Sequence, residues 1–143
     1  MTKDGGEDQR PGEWRGRSVA RVFDSPDGMQ ILVGRNASDN DVLTFKVASP
    51  RDFWLHVSGE SGSHVVVCNP ENLDSLPRET LRFAARLAAR YSKARNAGKV
   101  SVHVARCSDV RKPRGLAAGK VILSSYKSVK AEPLRDDEIE RDP

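Results

Sequence analysis

Nineteen residues from Pro77 to Arg95, PRETLRFAARLAARYSKAR, constrain the fold of this chain more than any other stretch. At about 100° per residue, Leu81, Ala84, Leu87, Ala88 and Tyr91 centre on one side of a helix, and Arg78, Arg82, Arg86, Arg90 and Lys93 fall within roughly 120° on the other. Asn96 and Gly98 supply left-handed closing residues, so the spacing predicts a helix ending near them. Glu79, its only acid, sits in the first turn where it suits the helix dipole. A helix this long needs a partner for its apolar face. The remaining apolar segments are short, which points to a sheet.

Strand candidates surround it. SVARVF (18–23) and MQILVGR (29–35) flank a Pro-Asp-Gly turn, whose proline presets φ and whose glycine tolerates positive φ. NASDNDVLTFKVAS (36–49) predicts a short helix capped by Ser38 or Asp39 and stopped by Pro50. DFWLHVSG (52–59) alternates Phe53, Leu55 and Val57 against Asp52, Trp54 and His56, as a half-buried strand does, and SGSHVVVC (61–68) reads as its hairpin partner. KVSVHVARC, DVRKP, GKVILSS and YKSVKAEP add short strands after the long helix. The predicted class is α+β: a mostly antiparallel sheet packed against one long basic amphipathic helix, plus a short helix.

A chain of 143 residues suits one domain and can bury a core without disulfides, although 37% hydrophobic residues leave little to spare. Cys68 and Cys107 stand apart with no CxxC partner, which allows one optional disulfide and no secreted framework. The longest apolar run, HVVVC, cannot span a membrane, and the N-terminus has no apolar secretory core, so a cytoplasmic protein is expected. Residues 1–17 read as a disordered leader, 18–133 as the domain and 134–143 as an acidic disordered tail. RDDEIERDP (135–143) holds two basic and five acidic groups, whereas residues 19–134 hold 18 basic against 11 acidic. A cationic body suggests a polyanionic partner.

The arginine stripe sharpens that reading. Solvated helix faces usually mix acids with bases, because like charges at i,i+4 repel by a few tenths of a kcal/mol. Guanidinium forks also bind phosphate bidentately and stack on bases. Arg82, Arg86, Arg90, Lys93 and Arg95 are therefore the main phosphate-contact candidates. A second group, Arg111, Lys112 and Arg114, surrounds Pro113 in a rigid basic turn. Arg35 and Asn36 stand just ahead of the short helix, where free N–H groups favour anions or a cap forms. Trp54, His56 and His64 are candidates for base or sugar contacts, with Trp54 as a stacking platform. The same histidines with Asp52 are the only arrangement suggesting acid–base chemistry, and no metal-site, GxSxG or phosphate-loop pattern accompanies them.

These stretches together resemble the NFACT-R domain, the RNA-binding module of the NFACT family. The resemblance rests on GRNASDND (34–41), DFWLHVSGESGSHVVV (52–67), AARLAARYSKAR (84–95), KVSVHV (99–104) and VRKPRGLAAGKV (110–121), in the family's order. In that family, which includes the RqcH and NEMF type, the domain ends a longer chain that binds a stalled large ribosomal subunit and tRNA. The resemblance implies RNA binding here, with tRNA or large-subunit rRNA as ligand and possible contact with the ribosome. Nothing in the sequence resembles the family's N-terminal domain, helix-hairpin-helix segment or coiled coil, so a stand-alone member is expected.

The expected function is thus a non-enzymatic RNA-binding protein in ribosome quality control, rescue or RNA modification, with no metal and no cofactor. The alternatives are a small enzyme built on Asp52, His56 and His64, and an adaptor docking an acidic protein on the basic helix.

Overall fold

The computed structural model describes residues 10–139, so the disorder expected of residues 1–9 and 140–143 lies outside the described residues. Ten strands and two helices appear in the order β1 (Glu13–Trp14), β2 (Arg17–Ser18), β3 (Ala20–Asp24), β4 (Gln30–Gly34), α1 (Ala37–Val42), β5 (Phe53–Val57), β6 (Val65–Val67), α2 (Arg78–Arg90), β7 (Val100–Arg106), β8 (Val110–Arg111), β9 (Ile122–Leu123) and β10 (Lys127–Ala131). Six of the strands form one antiparallel sheet in the order β10-β7-β5-β6-β4-β3, and β1-β2 and β8-β9 are two-stranded ribbons. The predicted α+β class is the one observed.

The central strands β4, β5 and β6 are largely buried on both faces of the sheet. On one, Ile31, Val33, Leu55, Val57, Val65, Val67 and Val102 meet Ala84, Ala85, Leu87, Ala88 and Ala89 of α2. Four alanines let the helix lie close to the strands, and the hydrophobic effect acts on the whole contact. The other face carries Leu32, Trp54, Val66 and Ala105, covered by Leu43 and by Val110, Val121 and Leu123 of the β8–β9 region. β5 is therefore not half-buried as its alternation predicts, because a second layer covers the face that bears Trp54.

Local chemistry explains three boundaries. Asn36 caps α1, its Oδ1 accepting from the Asp39 backbone N–H at 2.8 Å, so the cap lies ahead of both Ser38 and Asp39. The helix runs on as a π-helical turn, Leu43–Val47, and ends where Ala48 becomes extended ahead of Pro50. α2 stops at Arg90, about two turns before Asn96 and Gly98, because the backbone beyond it is bonded to the β5–β6 turn instead.

Described elements lie on both sides of the predicted 18–133 domain. Residues 10–18 include the β1–β2 ribbon, and the Val19 and Ala20 N–H groups donate to the Gly12 carbonyl at 2.8 and 3.2 Å. Leu134 is buried against α2, and Asp136–Glu138 form a 3-10 turn. Among the described residues, Cys68 and Cys107 form no disulfide. Among the described residues, no helix is long and apolar enough to cross a membrane.

Candidate nucleic-acid interface

Past α2 the chain folds back onto the β5–β6 turn. The Ser63 N–H donates to the Tyr91 carbonyl at 2.8 Å, and the Lys93 N–H donates to the Ser61 carbonyl at 2.9 Å. Gly62 makes the approach possible, since a Cβ there would lie 2.7 Å from the Ser92 Cβ. Asn40 ties α1 to the same turn: its Oδ1 accepts from the His64 N–H at 3.1 Å and its Nδ2 donates to the Gly62 carbonyl at 3.4 Å. Two segments separated in sequence are thereby brought to one place.

The result is a cleft of about 660 Å3 bordered by Arg21, Arg35, Arg90, Lys93, Arg95 and Lys120, with Glu60 the one acid among its described lining residues. Arg21, Arg35, Lys93, Arg95 and Lys120 belong to no ion pair among the described residues. The Arg21 guanidinium stands over the Tyr91 ring, 5.0 Å from its centroid. Arg35 Nε donates to the Ser18 hydroxyl at 2.9 Å, which leaves the other guanidinium donors of this exposed side chain for a ligand. His56 also faces the cleft. Its Nε2 donates to the Gly62 carbonyl at 3.2 Å, and burial holds its pKa below the usual histidine value, so it is neutral there.

Of the expected site residues, Arg35, Asn36, His56, Arg90, Lys93 and Arg95 converge on this cleft. The Asn36 amide is committed to the helix start, since besides its capping bond its Nδ2 donates to Asp39 Oδ2 at 3.0 Å. Arg21 and Lys120 escaped sequence reading. Arg21 is one arginine in an ordinary strand pattern and carries no local signal, while Lys120 closes the GLAAGK turn and differs little from a solvated lysine.

Trp54 and His64 are 2% and 1% exposed and are committed to internal bonds, although both border a neighbouring cleft beyond His56. Trp54 Nε1 donates to Thr44 Oγ1 at 3.2 Å, and Thr44 Oγ1 lies 2.7 Å from His64 Nδ1. His64 Nε2 lies 3.0 Å from the Gly119 carbonyl. A carbonyl only accepts, so Nε2 carries the proton and Nδ1 accepts a hydrogen bond from the Thr44 hydroxyl. Burial pushes the His64 pKa down to about 4, in keeping with a neutral ring. Lys112 is likewise turned inward: it pairs with Asp41 at 3.2 Å and donates to the Lys120 carbonyl at 2.8 Å and to that of Ala117. Both Asp41 oxygens accept from the Gly119 N–H at 3.1 Å. This network pins the 112–120 loop beside the cleft. Arg111, at the end of β8, and Arg114, on that loop, stay exposed but do not line the cleft.

The arginine ridge is also interrupted. Arg86 is 9% exposed; its Nη1 and Nη2 hold Glu138 at 2.9 and 2.8 Å, and its Nε donates to the Glu132 carbonyl at 2.9 Å. This bidentate pairing holds the Glu138 carboxyl down to a pKa of about 2. Arg90 pairs with Asp136 at 2.8 Å and donates to the Leu134 carbonyl at 3.2 Å. Arg78 and Arg82 remain exposed beside Lys99 and Lys130, away from the cleft. The uninterrupted phosphate track expected along α2 is therefore absent, and the free cations gather beyond its C-terminal end.

Asp52 does not join the histidines. Its oxygens accept from the Ser49 and Asn69 N–H groups, each at 2.8 Å, and it lies four residues from His56 on a strand, about 13 Å away. The enzyme alternative thus lacks its carboxylate. Among the described residues, no group of three or more His, Cys, Asp or Glu could hold a metal.

Comparison with known proteins places the chain in a family. A family profile described as NFACT protein RNA binding domain matches residues 19–125. The Rqc2 homolog RqcH of Bacillus subtilis is 36% identical over 121 residues, covering 85% of this chain and 20% of that protein. RqcH of Streptococcus suis is 39% identical over 107 residues, 74% of this chain and 19% of the relative. A solved structure of the C-terminal part of the fibronectin/fibrinogen-binding protein from Streptococcus suis superposes with a TM-score of 0.79 at 34% identity, covering 89% of this chain and 50% of that one. The chain thus spans about a fifth of the length of the curated relatives it matches. By its sequence and its fold, the chain belongs to the NFACT-R family of RNA-binding domains.

Proposed function

We propose that this protein binds tRNA or large-subunit rRNA in the cytoplasm, in ribosome quality control, ribosome rescue or RNA modification, and carries out no chemistry of its own. The observation that carries this reading is the gathering of Arg21, Arg35, Lys93, Arg95 and Lys120, without ion-pair partners among the described residues, around one cleft in an RNA-binding family. Unpaired cations on one wall recruit phosphates by releasing their counterions. Relatives include the RqcH proteins and a ribosome quality control complex subunit NEMF homolog of Drosophila melanogaster. Those names are the reason for placing the ligand on or near the ribosome.

Filter binding of structured RNA across a salt series tests the proposal. Log affinity should fall linearly with log salt, and Lys93→Ala, Arg95→Ala and Lys120→Ala should each shallow the slope by roughly 0.7–0.9. Arg111→Ala and Arg114→Ala should shift it less. Negligible, salt-insensitive binding by the unaltered chain would end the reading. Protein partners that survive nuclease treatment while RNA binding is absent would favour the adaptor instead.

A further inference from the structure

The cleft does not end at His56. A second one, of about 620 Å3, opens beyond it, and His56, Glu60, Ser61, Lys93, Gly119 and Lys120 border both. The new wall differs in chemistry. His56 and His103 are cross-strand partners of β5 and β7, and Tyr126 stands by His103 with ring centroids 4.3 Å apart and planes at 42°. Tyr126 is 51% exposed, and its hydroxyl makes no hydrogen bond among the described residues.

That ring is presented rather than loose. It follows a turn pinned by Ser124, whose N–H and hydroxyl both donate to the Asp109 carbonyl, at 2.9 and 3.2 Å. It precedes β10, where Lys127 pairs with Val104 in the sheet. An exposed aromatic on a fixed backbone, backed by an imidazole in a cleft that two lysines also border, has the composition of a stacking platform for a nucleobase. Glu60 fits such a ligand, because a carboxylate accepts from a base amino or imino N–H, whereas a cleft holding only phosphates has no use for it.

We infer that the second cleft holds an unpaired base of the bound RNA, stacked on Tyr126 beside His103, while phosphates of the same strand pass Lys93 and Lys120. This deepens the RNA-binding reading and rests on it. It assigns the protein a single-stranded or splayed-out nucleotide as ligand, not an uninterrupted duplex. Stacking recognises a π-face common to all bases, so little sequence preference follows.

The test titrates the full chain with a short unstructured RNA and with a blunt RNA duplex, each across a salt series. Tyr126→Ala should weaken single-strand binding on the order of tenfold, Tyr126→Phe should retain it, and neither should alter the salt slope or duplex binding. Single-strand affinity unchanged in Tyr126→Ala, or an equal loss on the duplex, overturns the base site. If the unaltered chain binds both RNAs with salt dependence while Tyr126→Ala is silent, only the base site falls. If the unaltered chain binds neither, the RNA reading falls and takes the base site with it.

Discussion

Acidification should destabilise this domain through His64, and the size of the effect follows from the site. The ring is buried, donates from Nε2 to the Gly119 carbonyl and accepts at Nδ1 from Thr44, and its pKa is lowered to about 4. Protonation would turn Nδ1 into a donor facing a hydroxyl that already receives the Trp54 N–H. The unfolded chain takes up a proton near pH 6.5 and the folded one near pH 4, so stability is lost as pH falls between them. At about pH 5 the loss from this group is about 2 kcal/mol, rising to about 3 kcal/mol below pH 4. Urea unfolding at about pH 7 and about pH 5 measures it, and in melting experiments the shift should be on the order of 6 °C. The comparison is with His64→Gln, which keeps the other histidines. That variant should be less stable near neutrality but should lose about 2 kcal/mol less between the two pH values. An equal loss in both proteins would show that the Thr44–His64–Gly119 arrangement has no part in acid sensitivity.

Three further predictions follow from neighbouring residues. Trp54→Phe removes the donor to Thr44 and should cost about 1–2 kcal/mol in urea unfolding, yet leave RNA affinity unchanged; a selective loss of affinity would put Trp54 at the ligand after all. Gly34→Ala would place a Cβ 1.9 Å from Asn40 Oδ1, forcing that atom off the His64 N–H, and should cost about 1–3 kcal/mol; unchanged stability would contradict the close approach. Asp136→Asn with Glu138→Gln frees Arg90 and Arg86 from their carboxylates, so the melting temperature should fall while RNA affinity and the steepness of its salt dependence rise; unaltered salt dependence would mean that these arginines stay out of the ligand's reach.

Much of the architecture was legible because it depends on short-range pattern. Period-2 segments flanked by turn residues became β3 through β7, and the 3.6-period Ala/Leu face became the side of α2 that meets the sheet. The site was legible only as residue types. The alternation that puts Trp54 and His56 on one face of β5 is correct, but whether that face meets water depends on the π-helical turn Leu43–Val47 and the β8–β9 region. Those segments cover Trp54 and stop short of His56. Lys112 of the basic loop is committed inward for a similar reason. Lys112 reads as a free cation until the fold brings Asp41, remote in sequence, to 3.2 Å from it.

The chain's local order of apolar, turn and charged residues was enough to determine an α+β domain with a cationic helix and an RNA-binding kinship, because backbone preference and amphipathic period act between near neighbours. Which cations stay free was decided only by tertiary structure. Arg86 and Arg90 are matched by Glu138 and Asp136, whereas the Gly62–Ser92 contact brings Lys93 and Arg95 to the cleft that Arg35 borders, and the loop held by Asp41 brings Lys120. Whether a charge meets a carboxylate or open water depends on distances across the fold, and these are set when the chain folds back on itself rather than by spacing along it.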